Sequence, residues 1–137
     1  SASVTVTPFS GLYVSGLVSY QDIRMKTFDN GVDSVATYNG DVLSVIASAG
    51  LALDSKTDLN AQYIFSYSDN FDDISSDGLP LGVDNQRHAV LTTLTRQISK
   101  HFSARLRYGF YKYDDPGMGG ADDYTANLVG AGCSLRF

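Results

Sequence analysis

Residues 102–113 read FSARLRYGFYKY, and apolar and polar side chains alternate along this stretch. One set of alternate positions is apolar: Phe102, Ala104, Leu106, Tyr108 and Phe110. The positions between them carry serine, arginine, glycine and tyrosine. Because successive side chains of a β-strand point to opposite faces of its sheet, the pattern predicts a strand with one apolar face and one polar face.

Other segments of the chain alternate in the same way, and the breaks between them differ in length. The predicted strands lie at 2–7, 11–26, 41–54, 58–69, 87–99, 102–113 and 123–137. Tight turns at 8–10, 55–57 and 100–101 alternate with long breaks rich in Asp, Gly, Ser and Asn at 28–40, 70–86 and 114–122. Short and long connections in alternation are typical of outer-membrane barrels. The predicted fold is therefore all-β, an antiparallel up-and-down transmembrane β-barrel with about seven strands in this chain.

Composition excludes several other classes of protein. All 15 acidic residues are Asp, which favours turns over helices, and the net charge of −5 argues against nucleic acid as the main partner. No apolar run approaches the roughly 20 residues of a membrane helix. The single cysteine, Cys133, excludes an internal disulfide and any cysteine-based zinc or haem motif. We therefore expect no cofactor and no metal.

The residues on the polar face separate a membrane barrel from a soluble one. The outer surface of a soluble barrel would carry Lys, Glu and Asp, whereas this face is mostly Ser, Gly, Asn, Gln and Tyr with a few Arg. We expect the apolar face to contact lipid and the polar face to line a lumen, with a soluble sandwich or lipocalin-like barrel as the alternative. Strand 87–99 fits least well, and we place its lipid-facing residues at Val90, Thr92, Leu94, Arg96 and Ile98.

Most of the aspartates lie in or beside the three long breaks, where water can solvate them. The second break is the candidate for cation binding, because hard cations prefer several carboxylate and carbonyl oxygens. Its acidic residues are Asp69, Asp72, Asp73, Asp77 and Asp84. Their spacing does not match an EF-hand loop, so a solvated acidic loop is the alternative.

Three arginines are predicted on the lumen side: Arg105, Arg107 and Arg136. Basic residues in a pore lining attract anions, although pairing with acids on other strands is an equal alternative. A hydrolase site at the outer rim is a weaker hypothesis. It would use His88 near Asp122 or Asp123, because catalysis needs a base held beside its partner. His101 falls in a predicted turn. We expect no enzymatic activity.

The final strand carries a recognisable pattern: Val129, Ala131, Cys133, Leu135 and Phe137, apolar at every second position and ending in Phe. It resembles the signal that the outer-membrane assembly machinery reads. With segments 77–82 (DGLPLG), 87–90 and 107–113 (RYGFYKY), residues 1–137 resemble the carboxy-terminal part of a large Gram-negative outer-membrane β-barrel of porin-like type. They resemble more distantly the MtrB/PioB-type barrels that sheath multihaem cytochromes.

This resemblance implies a location in the bacterial outer membrane, with the lipid bilayer and the assembly machinery as partners. It implies a porin-like channel, or a scaffold around a partner such as a multihaem cytochrome. An interaction barrel whose acidic outer loops bind a cation or an external partner is the alternative from a different class.

The direction of the strands leads to a further expectation. In such barrels the final strand runs towards the periplasm, so seven strands would begin with a strand running the same way. Bacterial barrels have even strand numbers and begin with a strand running outward. We therefore expect further strands, from the same protein or from other subunits, at the open edges. An eight-stranded barrel with an irregular first strand is the alternative.

Overall fold

The computed structural model describes residues 1–25, 28–29, 32–33, 38–72, 83–116 and 119–136, and these residues form strands joined by turns. The strands are β1 (Ala2–Phe9), β2 (Leu12–Met25), β3 (Phe28–Asp29), β4 (Val32–Asp33), β5 (Tyr38–Asp54), β6 (Thr57–Asp72), β7 (Val83–Gln97), β8 (Phe102–Asp114) and β9 (Tyr124–Leu135). Within these ranges, no helix has the length and hydropathy to cross a membrane.

Seven strands form one antiparallel sheet in the order β1-β2-β5-β6-β7-β8-β9. Each pairs with its neighbours along the chain, while β3 and β4 pair separately with each other. The predicted all-β, antiparallel, up-and-down arrangement is therefore confirmed. Among the described residues β1 and β9 pair on one side only, so the sheet is not closed. We call the end that holds the β1–β2, β5–β6 and β7–β8 connections the turn end, and the opposite end the loop end.

The first turn lies later than the sequence predicted. β1 continues through Pro8 to Phe9, and the turn is formed by Ser10 and Gly11, whose φ of 95° suits glycine. Proline is tolerated because β1 is an edge strand, where a missing N–H breaks no ladder bond on the open side. The register with β2 is irregular between Val6 and Phe9. The predicted turn at 8–10 was therefore too early.

β6 and β7 stay paired into the segment predicted as the second long break, so that break is shorter than predicted. Asp69, the last residue of predicted strand 58–69, pairs with Asp84, which lies within β7 rather than in the predicted break. Asp72 is the last residue of β6 and pairs with Tyr38. Asp73 and Asp77 lie outside the described residues. The polar side chains indicated that this segment contacts water. The backbone hydrogen bonds between the strands nevertheless continue past the point where the side chains change from apolar to polar.

The cross-strand register places the apolar positions of all seven strands on one face. A single row crosses the sheet through Leu12, Leu51, Leu59, Leu94, Leu106 and Ala131, each paired with the next. The surface formed by this row and the residues in phase with it is the apolar face. In β7, Val90, Thr92, Leu94 and Arg96 lie on it, as predicted. Neighbouring positions form the opposite, polar face.

Within the described part of the chain, no second layer covers the apolar face. None of the described residues forms a buried apolar core. Large side chains of this face are instead exposed, including Val129 at 73%, Leu135 at 57% and Leu106 at 53%. A sheet must bury its apolar face against another layer, and a contiguous exposed patch marks a contact with a partner or a membrane.

Candidate functional site on the polar face

The polar face is concave. One row of this face crosses six strands through Tyr13, Gly50, Asn60, Thr93, Arg107 and Gly130, each paired with the next. In a flat sheet, five strand spacings separate β2 from β9 by about 24 Å. A single cavity of about 410 Å³ is nevertheless lined by Tyr13 of β2 and Leu128 of β9. We call it the central cavity. The sheet curls around it, with the polar side chains inside.

Tyr13 bridges three strands inside this curve. Its ring lies over Gly50, and a Cβ at that position would overlap the ring. Its hydroxyl donates a hydrogen bond to Oδ1 of Asn60, at 2.9 Å. Beside it, Nε2 of Gln62 donates to Oγ of Ser48 at 3.4 Å. The floor of the central cavity is therefore a surface of uncharged hydrogen-bonding groups.

The three arginines predicted on the lumen side divide between two cavities. Arg107 lines the central cavity. Arg105 and Arg136 line a second cavity of about 270 Å³ at the turn end, which we call the turn-side cavity. Within the described ranges none of the three forms an ion pair, since the salt bridges there join other residues. Arg105 and Arg136 therefore line one cavity, whereas Arg107, two residues from Arg105 on β8, lines the other.

The turn-side cavity contains further basic residues that sequence reasoning did not single out. They are Lys56 and Lys100, and they join His101, which we had assigned only to a turn. Nδ1 of His101 lies 3.1 Å from the carbonyl oxygen of Arg136, and the backbone N–H of Arg136 donates to the carbonyl of His101 at 2.8 Å. The signal available in the sequence was a cluster of basic residues around two tight turns. Only the pairing of the strands shows that these two turns lie side by side.

Asp54 fixes the turn that carries Lys56. Its carboxylate accepts hydrogen bonds from the backbone N–H of Lys56 at 2.7 Å and from the hydroxyl of Thr57 at 3.0 Å. These bonds, the backbone bond first, hold the pKa of Asp54 below its ordinary value of 3.8 because they stabilise the ionised form. The turn at this end therefore depends on an ionised carboxylate.

An aromatic cluster lies at the loop end of the polar face. The guanidinium of Arg87 lies 5.2 Å from the ring centre of Tyr113, which stacks on Tyr124 at 5.4 Å. The hydroxyl of Tyr113 donates to Asp115 at 3.2 Å. The backbone N–H of Asp115 in turn donates to the carboxylate of Asp123 at 2.7 Å. This cluster anchors the last loop to β8 and β9.

Four aspartates form a row across the loop end of the apolar face: Asp22, Asp41, Asp69 and Asp84, each paired with the next. Like charges directly opposite one another are destabilising. Asp22 has a compensating ion pair with Arg24 at 3.1 Å, whereas Oδ1 of Asp84 is buried and has no hydrogen-bond partner among the described residues. Across the described ranges, no three His, Cys, Asp or Glu side chains converge in a way that could hold a metal ion.

Between this row and the turn end, most of the apolar face is uncharged, while Lys112 and Asp114 form an ion pair at its loop end on β8. The uncharged stretch covers residues 43–53 of β5, 59–67 of β6 and 102–110 of β8. Arg96 of β7 lies on the same face at the turn end, paired with Ala104. Ionised groups therefore border an apolar band on both sides, and we call it the uncharged band.

His88 lies at the loop side of the uncharged band. Its Nδ1 is 2.8 Å from the hydroxyl of Tyr63, and its ring centre is 5.0 Å from that of Phe65. These contacts lie on the apolar face, and none of the hydrogen bonds or ion pairs among the described residues joins His88 to Asp122 or Asp123. Asp123 instead accepts the hydrogen bond from the backbone of Asp115.

The terminal pattern occupies the apolar face of the last strand. Val129, Ala131, Cys133 and Leu135 pair with Tyr108, Leu106, Ala104 and Phe102. Cys133 is an exposed free thiol. Phe137 lies outside the described residues. The described part of the pattern therefore continues the apolar surface across β9.

Comparison with protein-family models, with curated proteins and with solved structures finds no match to this chain.

Proposed function

We propose that the chain forms part of the wall of a bacterial outer-membrane β-barrel that works as a porin-like channel or as a scaffold around a partner such as a multihaem cytochrome. One observation carries this proposal. Most of the large exposed apolar side chains share one face of the sheet, where they lie in an uncharged band between the aspartate row and Arg96. Four others, Tyr13, Ile23, Tyr124 and Leu128, lie on the polar face. An uncharged apolar band is stable against hydrocarbon and costly against water.

The dimensions of the band support lipid contact. A tilted strand needs about 9–11 residues to cross the hydrocarbon core. The uncharged band covers residues 43–53 on β5 and 59–67 on β6, which matches that length. The aspartate row lies directly beyond it, where headgroups and water would solvate the carboxylates. Arg96 at the other border can extend its guanidinium to the interface.

The two edges of the sheet support a larger wall. Within the described part of the chain, β1 and β9 each have one unpaired side. Unpaired backbone groups in hydrocarbon cost several kcal/mol each. We infer that further strands, from the same protein or another subunit, pair with these edges. The outer-membrane assembly machinery is the partner expected to read the terminal pattern.

The polar face supports a water-filled lumen. Its concave surface carries small hydroxyl and amide groups, and Arg107 projects from it into the central cavity without an ion pair to any described residue. Single-channel conductance of the full-length protein in a planar bilayer tests the channel, and stable pores would support it. Co-purification of a redox partner with haem absorbance, together with absent conductance, would support the scaffold instead.

The natural cysteine provides a direct test of which face meets lipid. In liposomes, Cys133 should resist a water-soluble maleimide, because it lies on the apolar face, where hydrocarbon excludes the reagent and disfavours the reactive thiolate. The matched control is Cys133→Ser with Ser134→Cys, which moves the thiol one residue along β9 to the polar face. That thiol should react with the water-soluble reagent. Equal labelling of both positions by the water-soluble reagent would refute the proposed orientation.

A further inference from the structure

We propose that the turn-side cavity binds a multiply charged oxyanion, a phosphate-type or polycarboxylate compound, between Arg105 and Arg136. This inference deepens the proposed function by naming a ligand class for the polar face. It rests on that function in one point, that the cavity opens towards a lumen. Anion binding can be measured whether or not the protein conducts ions.

The charge of the cavity lining is opposite to that of the chain. The formal net charge of the chain is −5, yet the lining contains four permanent cations and one carboxylate. The cations are Lys56, Lys100, Arg105 and Arg136, and the carboxylate is Asp58. All four cations are exposed, so water and salt screen part of their mutual repulsion, and an anion held between them would reduce it further. An anion is the ligand that relieves this repulsion.

The cations of the cavity are available to a ligand. Among the described residues none of the four takes part in an ion pair. Asp58 lies in the same cross-strand row as Arg105, but Thr95 stands between them, and no salt bridge joins the two. Ion pairs within the described part of the chain therefore do not neutralise the positive charge of the lining.

The positions of the two arginines are fixed by their neighbours. Arg105 is flanked by Thr95 on β7 and Gly132 on β9, and a Cβ at Gly132 would meet nothing within 4 Å. The small neighbours leave room for its guanidinium. The backbone of Arg136 is held by its two hydrogen bonds with His101. The backbones that carry the two arginines are thus held at one end of the sheet.

The chemistry of the lining selects an oxyanion. A guanidinium presents parallel N–H groups that match phosphate and carboxylate oxygens, and an ammonium adds a point charge. Hydroxyl groups complete the lining: Ser55, Thr95, Ser99, Ser103 and Ser134. A monovalent halide would satisfy one cation, whereas a multiply charged oxyanion can satisfy several. The cavity belongs to the polar face, opposite the row that contains Cys133, so we assign it to a water-soluble anion rather than to a lipid.

Calorimetric titration of inorganic phosphate into the full-length protein in non-ionic detergent, at constant chloride, tests this site. Each of Arg105→Gln and Arg136→Gln should weaken binding about tenfold, the loss of one charged hydrogen bond. Arg96→Gln is the matched control, because it removes the same charge at the same end of the sheet from the opposite face. It should change affinity less than about twofold. Asp58→Asn should strengthen binding, and circular dichroism checks that each variant keeps its strand content.

Three outcomes would overturn the proposal. The first is a wild-type protein that does not bind phosphate. The second is an equal loss in Arg96→Gln and Arg105→Gln, which would indicate a diffuse field rather than a site. The third is loss of phosphate binding when the protein moves from detergent into phosphatidylcholine nanodiscs, whose headgroups carry a phosphate but no net charge, which would assign the site to a lipid phosphate. If the protein binds phosphate but shows no conductance, the anion site is supported and the channel is refuted. If it conducts but does not bind phosphate, the channel is supported and the anion site is refuted.

Discussion

The ring of Tyr13 occupies the space that a side chain at Gly50 would need. The two residues pair directly across β2 and β5, and a Cβ built on Gly50 would overlap the ring. With no side chain below it, Tyr13 lies across β5 and donates its hydroxyl proton to Asn60 on β6. One glycine therefore allows a tyrosine to connect three strands on the inside of the curve.

Replacement of Gly50 by alanine should destabilise the sheet by about 1–3 kcal/mol, because the methyl group forces the Tyr13 ring off its position. Urea unfolding of the full-length protein in detergent measures this change. In a Tyr13→Ala background the cost of Gly50→Ala should disappear, which gives a coupling energy of about 0.5–3 kcal/mol in a double-mutant cycle.

Gly132→Ala is the matched control for that prediction, since a Cβ there meets nothing within 4 Å. It should be neutral or stabilising by up to about 0.5–1 kcal/mol, because alanine restricts the unfolded chain. Equal destabilisation by both substitutions would show that the contact with Tyr13 is not what requires glycine at position 50.

Lysine substitution at two successive positions of β5 should have opposite outcomes. Ala47 lies on the apolar face, paired with Gly16 and Tyr63, whereas Ser48 lies on the polar face, paired with Ser15. In a bilayer Ala47→Lys should destabilise the folded protein by about 2–4 kcal/mol, as expected for a charge near the midplane. Ser48→Lys should cost much less. Unfolding in liposomes measures both, and a larger cost at Ser48 would reverse the assignment of the faces.

Neutralising the centre of the aspartate row should stabilise the sheet. Asp69 stands between Asp41 and Asp84, so Asp69→Asn removes two repulsive pairs. The expected gain is about 0.2–1 kcal/mol at low ionic strength and should shrink as salt is added. Denaturant unfolding at two salt concentrations, without divalent cations, measures it.

The control for the aspartate row is Asp123→Ala, which removes the carboxylate that accepts the backbone N–H of Asp115. That variant should lose about 0.5–1.5 kcal/mol rather than gain stability. If Ca²⁺ stabilises the wild-type protein and Asp69→Asn abolishes the effect, the row is a cation site and the repulsion argument fails.

Acid should weaken the turn between β5 and β6. The folded-state pKa of Asp54 lies below its ordinary value, so its stabilising contribution is present above about pH 4 and is lost as pH falls through the folded pKa. The stability difference between wild type and Asp54→Asn should therefore be constant near neutrality and shrink in acid. Unfolding from pH 7 down to pH 3 measures it. Thr57→Val should keep most of this pH dependence, because the backbone bond from Lys56 lowers the pKa most.

The alternation of side chains predicted the strands and their faces because it is a local property of extended backbone. Even β7, whose sequence fits the alternation least well, follows the predicted faces, because Val90 and Leu94 lie on the same face as Tyr63 and Leu59. The ends of β6 and β7 were predicted less well. Carboxylates at Asp69 and Asp84 indicate contact with water, and a strand can meet water while its backbone stays paired.

The sequence by itself determined that Leu106 and Arg107 belong to opposite faces, because neighbouring residues of a strand always point apart. Only the tertiary structure decided what each one meets. Register joins Leu106 to Leu94 and Arg107 to Thr93, and curvature then brings Arg107 into one cavity with Tyr13 of β2 and Leu128 of β9. Register and curvature are properties of several strands together, so no single segment of the sequence contains them.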